Sequence, residues 1–136
     1  QRFGGLTWLT IRALRMSMAG DYHIDGVGTQ KVYDDFLKFA GMPAGSAWFE
    51  VHRYMTVIGR DVTYMLGRLY LIELENMVKD AMGSKYDFKQ FVYNWFKPGL
   101  RTLVVHTNAM NNYVCNNGGD KDKMKSKYSV DSAEYA

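Results

Sequence analysis

A single cysteine, Cys115, stands in this 136-residue chain. No disulfide can close within the chain, which excludes a disulfide-stapled scaffold. Nor does any stretch approach the run of about eighteen apolar residues that a membrane-spanning helix needs. The three histidines, His23, His52 and His106, are nowhere four residues apart, so the chain carries no HExxH zinc helix. A phosphate-cradling P-loop, a GxGxxG turn and a GxSxG nucleophile elbow are equally missing. Lysine and arginine number 17 against 14 acidic residues. They are scattered, and the late "DKDKMKSK" interleaves them with aspartate, so no basic stripe suits a nucleic acid. No period-two alternation is long enough to name a strand, and no internal repeat is visible.

What is present is apolar and aromatic. Hydrophobic residues make up 47% of the chain and charged ones 23%, which implies a packed core. Ten tyrosines and three tryptophans favour buried helix faces or a large interface. Leu6 to Ala19 reads as a helix with apolar residues nearly all round, and so as one buried on more than one side. "AGDYHIDGVG" breaks it. Thr29 then offers an N-cap for a second helix whose apolar face is Val32, Tyr33, Phe36, Leu37 and Phe39. "GMPAGS" is a turn, and Ser46 can cap a short third helix.

Further along, Val62, Met65, Leu66, Leu69, Ile72 and Met77 recur at helical spacing, with Glu75 and Lys79 as an i,i+4 pair on the outer face. Gly83 ends that helix. Asp87 caps the next, Pro98-Gly99 stops it, and a last helix runs from Leu100 to about Met110. From Asn108 the composition turns polar and Asn-bearing. The expected architecture is all-α, with a helical portion over 1–107 and a polar tail over 108–136.

Few side chains point to chemistry. His23 lies in a Gly/Asp-rich break, where it either caps a helix end or presents a functional group. Arg12 and Arg15 share a face of an otherwise apolar helix. They either reach water at an edge or meet carboxylates from elsewhere in a larger molecule. Tyr64 is either a core residue or one that reaches into a site. Cys115, in a polar Asn-rich loop, is a free thiol or a candidate interchain disulfide. His52 and His106 read as surface or interface residues.

Four stretches in order, "FGGLTWLTIRALR", "GDYHIDGVGTQKVYDDFL", "HRYMTVIGRDVTYMLGRLYLIELE" and "MGSKYDFKQFVYNWFKPGLRTL", resemble one family over about residues 3–105. It is the domain-of-unknown-function 885 family, helical proteins similar to zinc metallopeptidases. Arg12, Ala13 and Arg15 match its arginine helix, and His23 and Gly26 its histidine passage. Gly59, Tyr64 and Gly67 match its tyrosine helix, and Asp87, Phe91, Gly99 and Leu103 its last passage. The chain departs from the pattern at Ala19, at Gly20-Asp21-Tyr22, at Val27, at Ile58, Arg60 and Asp61, and at Val92.

The resemblance implies the C-terminal helical portion of a larger metallopeptidase-like fold. Zinc and its ligands would lie on an upstream partner chain of the same precursor. His23 and Tyr64 would then be catalytic hydrogen-bond donors to an oxyanion, and Arg12 and Arg15 would bind substrate carboxylates. The substrate would be a peptide or small molecule. The opening "QRFGG", with no start methionine or signal peptide as written, fits a chain made by cleavage and a secreted product. Two other readings stay open. One is an inactive pseudoenzyme subunit with a structural, binding or toxin-like role, and the other a self-contained helical interaction module.

Overall fold

A computed structural model describes residues 2–124, and among them the chain is all-α. The helices are α1 (Arg2–His23), α2 (Thr29–Ala40), α3 (Ala44–Thr56), α4 (Arg60–Met82), α5 (Phe88–Phe96) and α6 (Leu103–Asn116). Short 3-10 turns follow α4 at Gly83–Lys85 and α6 at Lys121–Met124. No described helix is long and apolar enough to cross a membrane. The chain divides into two compact units, residues 1–68 and 69–136, with the division inside α4.

The first unit packs Met18 and Ala19 of α1, Val32 and Phe36 of α2, and Ala47, Val51 and Tyr54 of α3 into one core. Val32 and Phe36, four apart, are the buried edge of α2, while Phe39 is 54% exposed rather than part of that face. Phe36 and Tyr54 stack with ring centroids 6.1 Å apart. α2 closes on Gly41, whose φ of +59° is the left-handed conformation glycine adopts without strain.

Helix α1 departs from expectation. It buries only Ile11, Arg15, Met18 and Ala19, and leaves Phe3, Leu6 and Trp8 more than half exposed. Two caps also fall elsewhere. Thr29 is already helical after Gly28, and α3 starts at Ala44 behind Pro43, which puts Ser46 inside its first turn.

The second unit is built on Tyr70, Leu74, Val78 and Ala81 of α4, spaced four, four and three apart. Phe91 of α5 and Met110 and Val114 of α6 close on them, with Met124 beyond. The buried face of α4 is therefore not the expected one. Leu66, Leu69 and Ile72 are at least 40% exposed. The helix carries apolar residues on two sides, and spacing alone does not say which side meets the core. Other expectations hold. α4 ends at Met82 before Gly83, Lys79 pairs with Glu75 at 2.7 Å, and Asp87 caps α5 by accepting from the Gln90 amide at 2.8 Å.

The last helix runs beyond its expected end, so the polar stretch from Asn108 is helical through Asn116 and position 107/108 lies inside α6. Cys115 sits on that helix, exposed, and not in a loop. His106 is likewise not a surface residue: it is buried and stacked on Trp95 at 4.3 Å. The rest of the expected tail, 125–136, lies outside the described residues.

After α6 the backbone turns back on α4. The Asp120 amide donates to the Ala81 carbonyl at 3.0 Å. A Cβ at Gly119 would stand 2.6 Å from Val114 and 2.8 Å from Met82. Gly119→Ala should therefore destabilise the fold by about 1–3 kcal/mol, as an overpacked core does. Leu74→Ala, at a fully buried site, should lower stability by about 2–5 kcal/mol. Urea unfolding followed by circular dichroism checks both, and a Gly119→Ala midpoint equal to the parent's would contradict the packing.

Candidate functional site

Among the described residues, the most charged interior lies in the first unit. Arg15 rises from α1 among apolar neighbours, and Glu50 faces it from α3. The Arg15 guanidinium donates from Nε to Glu50 Oε2 at 2.8 Å and from Nη2 to Oε1 at 2.6 Å. Both residues are buried, and this two-pronged geometry is what the planar guanidinium is shaped for. Burial works against the Arg15 charge, but the Glu50 bond and charge outweigh it, and its pKa lies above the ordinary value. The carboxylates expected from elsewhere in a larger molecule are thus met, for Arg15, by Glu50 of the same chain.

The network continues along α3. Arg53, one turn after Glu50, places Nη1 3.6 Å from Glu50 Oε1 and Nε 3.2 Å from Asp61 Oδ1. Asp61 sits in the first turn of α4 and is only 1% exposed. Two cations and two anions so alternate in the order Arg15, Glu50, Arg53, Asp61. Its last link is incomplete. Arg53 Nε and both Asp61 oxygens are near each other but off-line, and none completes a hydrogen bond among the described residues. Coulombic attraction rather than hydrogen bonding holds Asp61 there. The Tyr54 hydroxyl, buried beside them and also unbonded, has its pKa pushed far up by burial, then by Asp61 and Glu50.

Tyr64 follows Asp61 by three residues on α4 and is 42% exposed, so it does not belong to the core. The hydrogen-bonding and charge of the nearby Arg60 guanidinium hold the phenol below the usual tyrosine range. Arg53 adds to the effect. His23 closes α1, exposed, with its ring edge-on to Tyr22 at 4.9 Å. It lies at a helix end, in keeping with one of its two readings. Among the described residues no hydrogen bond or ion pair joins His23 to Tyr64, and Arg12, half-buried, forms no ion pair.

Arg15 and Glu50 also line an open groove of about 350 Å³, walled by Trp8, Ile11, Met42 and Phe49. The Arg15 guanidinium is already engaged there by Glu50, not free for a substrate carboxylate. The described residues contain no group of three or more histidine, cysteine, aspartate or glutamate side chains that could hold a metal. They do not fit a zinc ion, whose ligands would have to come from elsewhere.

Glu50, Arg53, Arg60 and Asp61 were not expected as site residues, although Arg60 and Asp61 stood out as departures from the family pattern. One signal was available, since an arginine in an apolar helix calls for a carboxylate. Nothing local says that the partner is 35 residues away.

Glu50→Gln, which leaves Arg15 buried beside a neutral group, should lower stability by about 3–5 kcal/mol. The double change Arg15→Met with Glu50→Leu should cost much less, and chemical denaturation of the three variants tests that ordering. Arg60→Gln should raise the Tyr64 pKa toward that of an ordinary tyrosine. The near-ultraviolet titration difference between the parent and Tyr64→Phe reads this directly, and an unmoved phenolate transition in Arg60→Gln would contradict it.

No curated protein and no solved structure matches the chain. One family model, described as "Bacterial protein of unknown function (DUF885)", matches residues 1–106. Those residues take in all of the first unit, with the Arg15-to-Asp61 network, and, in the second, the rest of α4 and all of α5. By that match the chain belongs to the DUF885 family.

Proposed function

We propose that this chain is the C-terminal, helical part of a metallopeptidase-like hydrolase and completes an active site whose zinc ligands lie on an upstream partner chain. The observation that carries the reading is Tyr64. It is an exposed phenol at a helix start, and the adjacent Arg60 makes it more acidic. A more acidic phenol donates a stronger hydrogen bond to an oxygen that gains charge in the transition state. His23, exposed at the end of α1, is the second donor in this reading, and Arg12 is left to order the substrate.

The apolar surface of the chain favours a partner. Phe3, Ile24, Ile58, Phe96 and Leu100 are each more than 70% exposed, and a partner would cover some of them. In the same reading the assembly is secreted, and the exposed thiol of Cys115 bonds to the partner.

Tyr64→Phe in a preparation that hydrolyses peptide or ester substrates should lower kcat by about a hundredfold to a thousandfold with little change in KM, as loss of one oxyanion donor does. Because the hydroxyl must be protonated to donate, and its pKa is lowered, turnover should fall on the alkaline side at a lower pH than an ordinary tyrosine dictates. Unchanged kcat in Tyr64→Phe would remove the tyrosine from catalysis. Intact mass of the native material, with and without reductant, together with elemental zinc, separates the alternatives. A second chain with zinc supports the hydrolase. A second chain without it favours an inactive binding subunit, and a lone monomer a self-contained interaction module.

A further inference from the structure

The groove that Arg60 lines carries a charge that no ion pair cancels among the described residues. It encloses about 310 Å³ between Phe49, His52, Arg53, Thr56, Val57 and Arg60, and no carboxylate is among them. Arg53 is taken up by Glu50 and Asp61, as described above. Arg60 forms no ion pair among the described residues. Its positive charge is therefore the net field of the groove, since the four charges of the buried network sum to zero.

His52 adds a fixed polar group. Its Nδ1 lies 2.8 Å from the Trp48 carbonyl oxygen, which holds the ring in place and leaves Nε2 for another partner. Apolar surface is also available, because Phe49 is 68% exposed and Val57 lines the same groove.

We infer that this groove binds a carboxylate, the charged end of a peptide or acyl compound, with Arg60 as its principal partner and the adjoining apolar group against Phe49 and Val57. A guanidinium presents paired N–H donors that match the two oxygens of a carboxylate. Arg53, whose charge is already balanced by Glu50 and Asp61, serves only as a supporting charge. The inference deepens the hydrolase reading by naming a substrate class, and rests on that reading only for calling the ligand a substrate. Carboxylate binding itself needs neither metal nor turnover.

The test is a titration of the purified protein with N-acetyl-phenylalanine, with its uncharged amide, and with inorganic phosphate. Binding is read from the His52 ring and Trp48 indole resonances; the two rings lie 6.1 Å apart, so both report on this groove. The acid should shift both resonances to saturation, and the amide should bind about tenfold more weakly or worse. Arg60→Gln should weaken the acid by a similar factor while helix content stays unchanged, because Arg60 is exposed. His52→Gln, read from Trp48 alone, should weaken it less.

Equal affinity for acid and amide overturns the inference, as does an Arg60→Gln variant that binds the acid as the parent does. Phosphate saturating the same resonances more tightly than the acid also overturns it, in favour of a phosphate site. A protein that binds the acid but shows no hydrolysis under any condition refutes the hydrolase reading alone.

Discussion

The first unit depends on one buried charge sequence, Arg15 to Glu50 to Arg53 to Asp61, which ties α1, α3 and the start of α4 together. Taking four charges out of water is unfavourable, and their mutual attraction offsets that only when each has its partner. The geometry is best where the desolvation is shared most evenly, at the paired bonds of Arg15 and Glu50. At Asp61 it is looser, and the carboxylate stays buried because two cations and a helix start lie close by. The apolar core of Phe36, Val51 and Tyr54 supplies the cohesion, while the charges fix which helix faces meet.

The same arrangement orders the surface. Asp61 holds Arg53 inward, and Arg60, its sequence neighbour, is left outside with Tyr64 one turn away. Adjacent residues on a helix point in different directions, so a buried anion and an exposed cation can follow each other directly. The phenol of Tyr64 and the groove that Arg60 lines take their electrostatic character from that step.

Features set by neighbouring residues were readable from the sequence. The Asp87 cap, the Gly83 stop and the Glu75–Lys79 pair each rest on side chains a few positions apart, and each is present. Features set by tertiary packing were not. On α4 two apolar stripes compete, and the choice of Leu74 and Val78 over Leu66 and Leu69 is made by α5 and α6. Beyond Asn108 the polar composition hid Met110 and Val114, which are four apart and both buried. The site was legible only in outline. The resemblance drew attention to Arg15 and Tyr64, but the groups that define their surroundings, Glu50, Arg53, Arg60 and Asp61, come together only in three dimensions.

The return of the chain after α6 has a consequence for where this protein can be cut. The family match stops at residue 106, inside α6, yet three members of the second unit's core, Met110, Val114 and Met124, lie after it. A fragment trimmed to the matched region would open Leu74 and Val78 to water and leave the Ala81 carbonyl without its donor. The family match and the folded core therefore end at different residues. The segment 107–124, outside the match, supplies side chains that the second unit's core relies on.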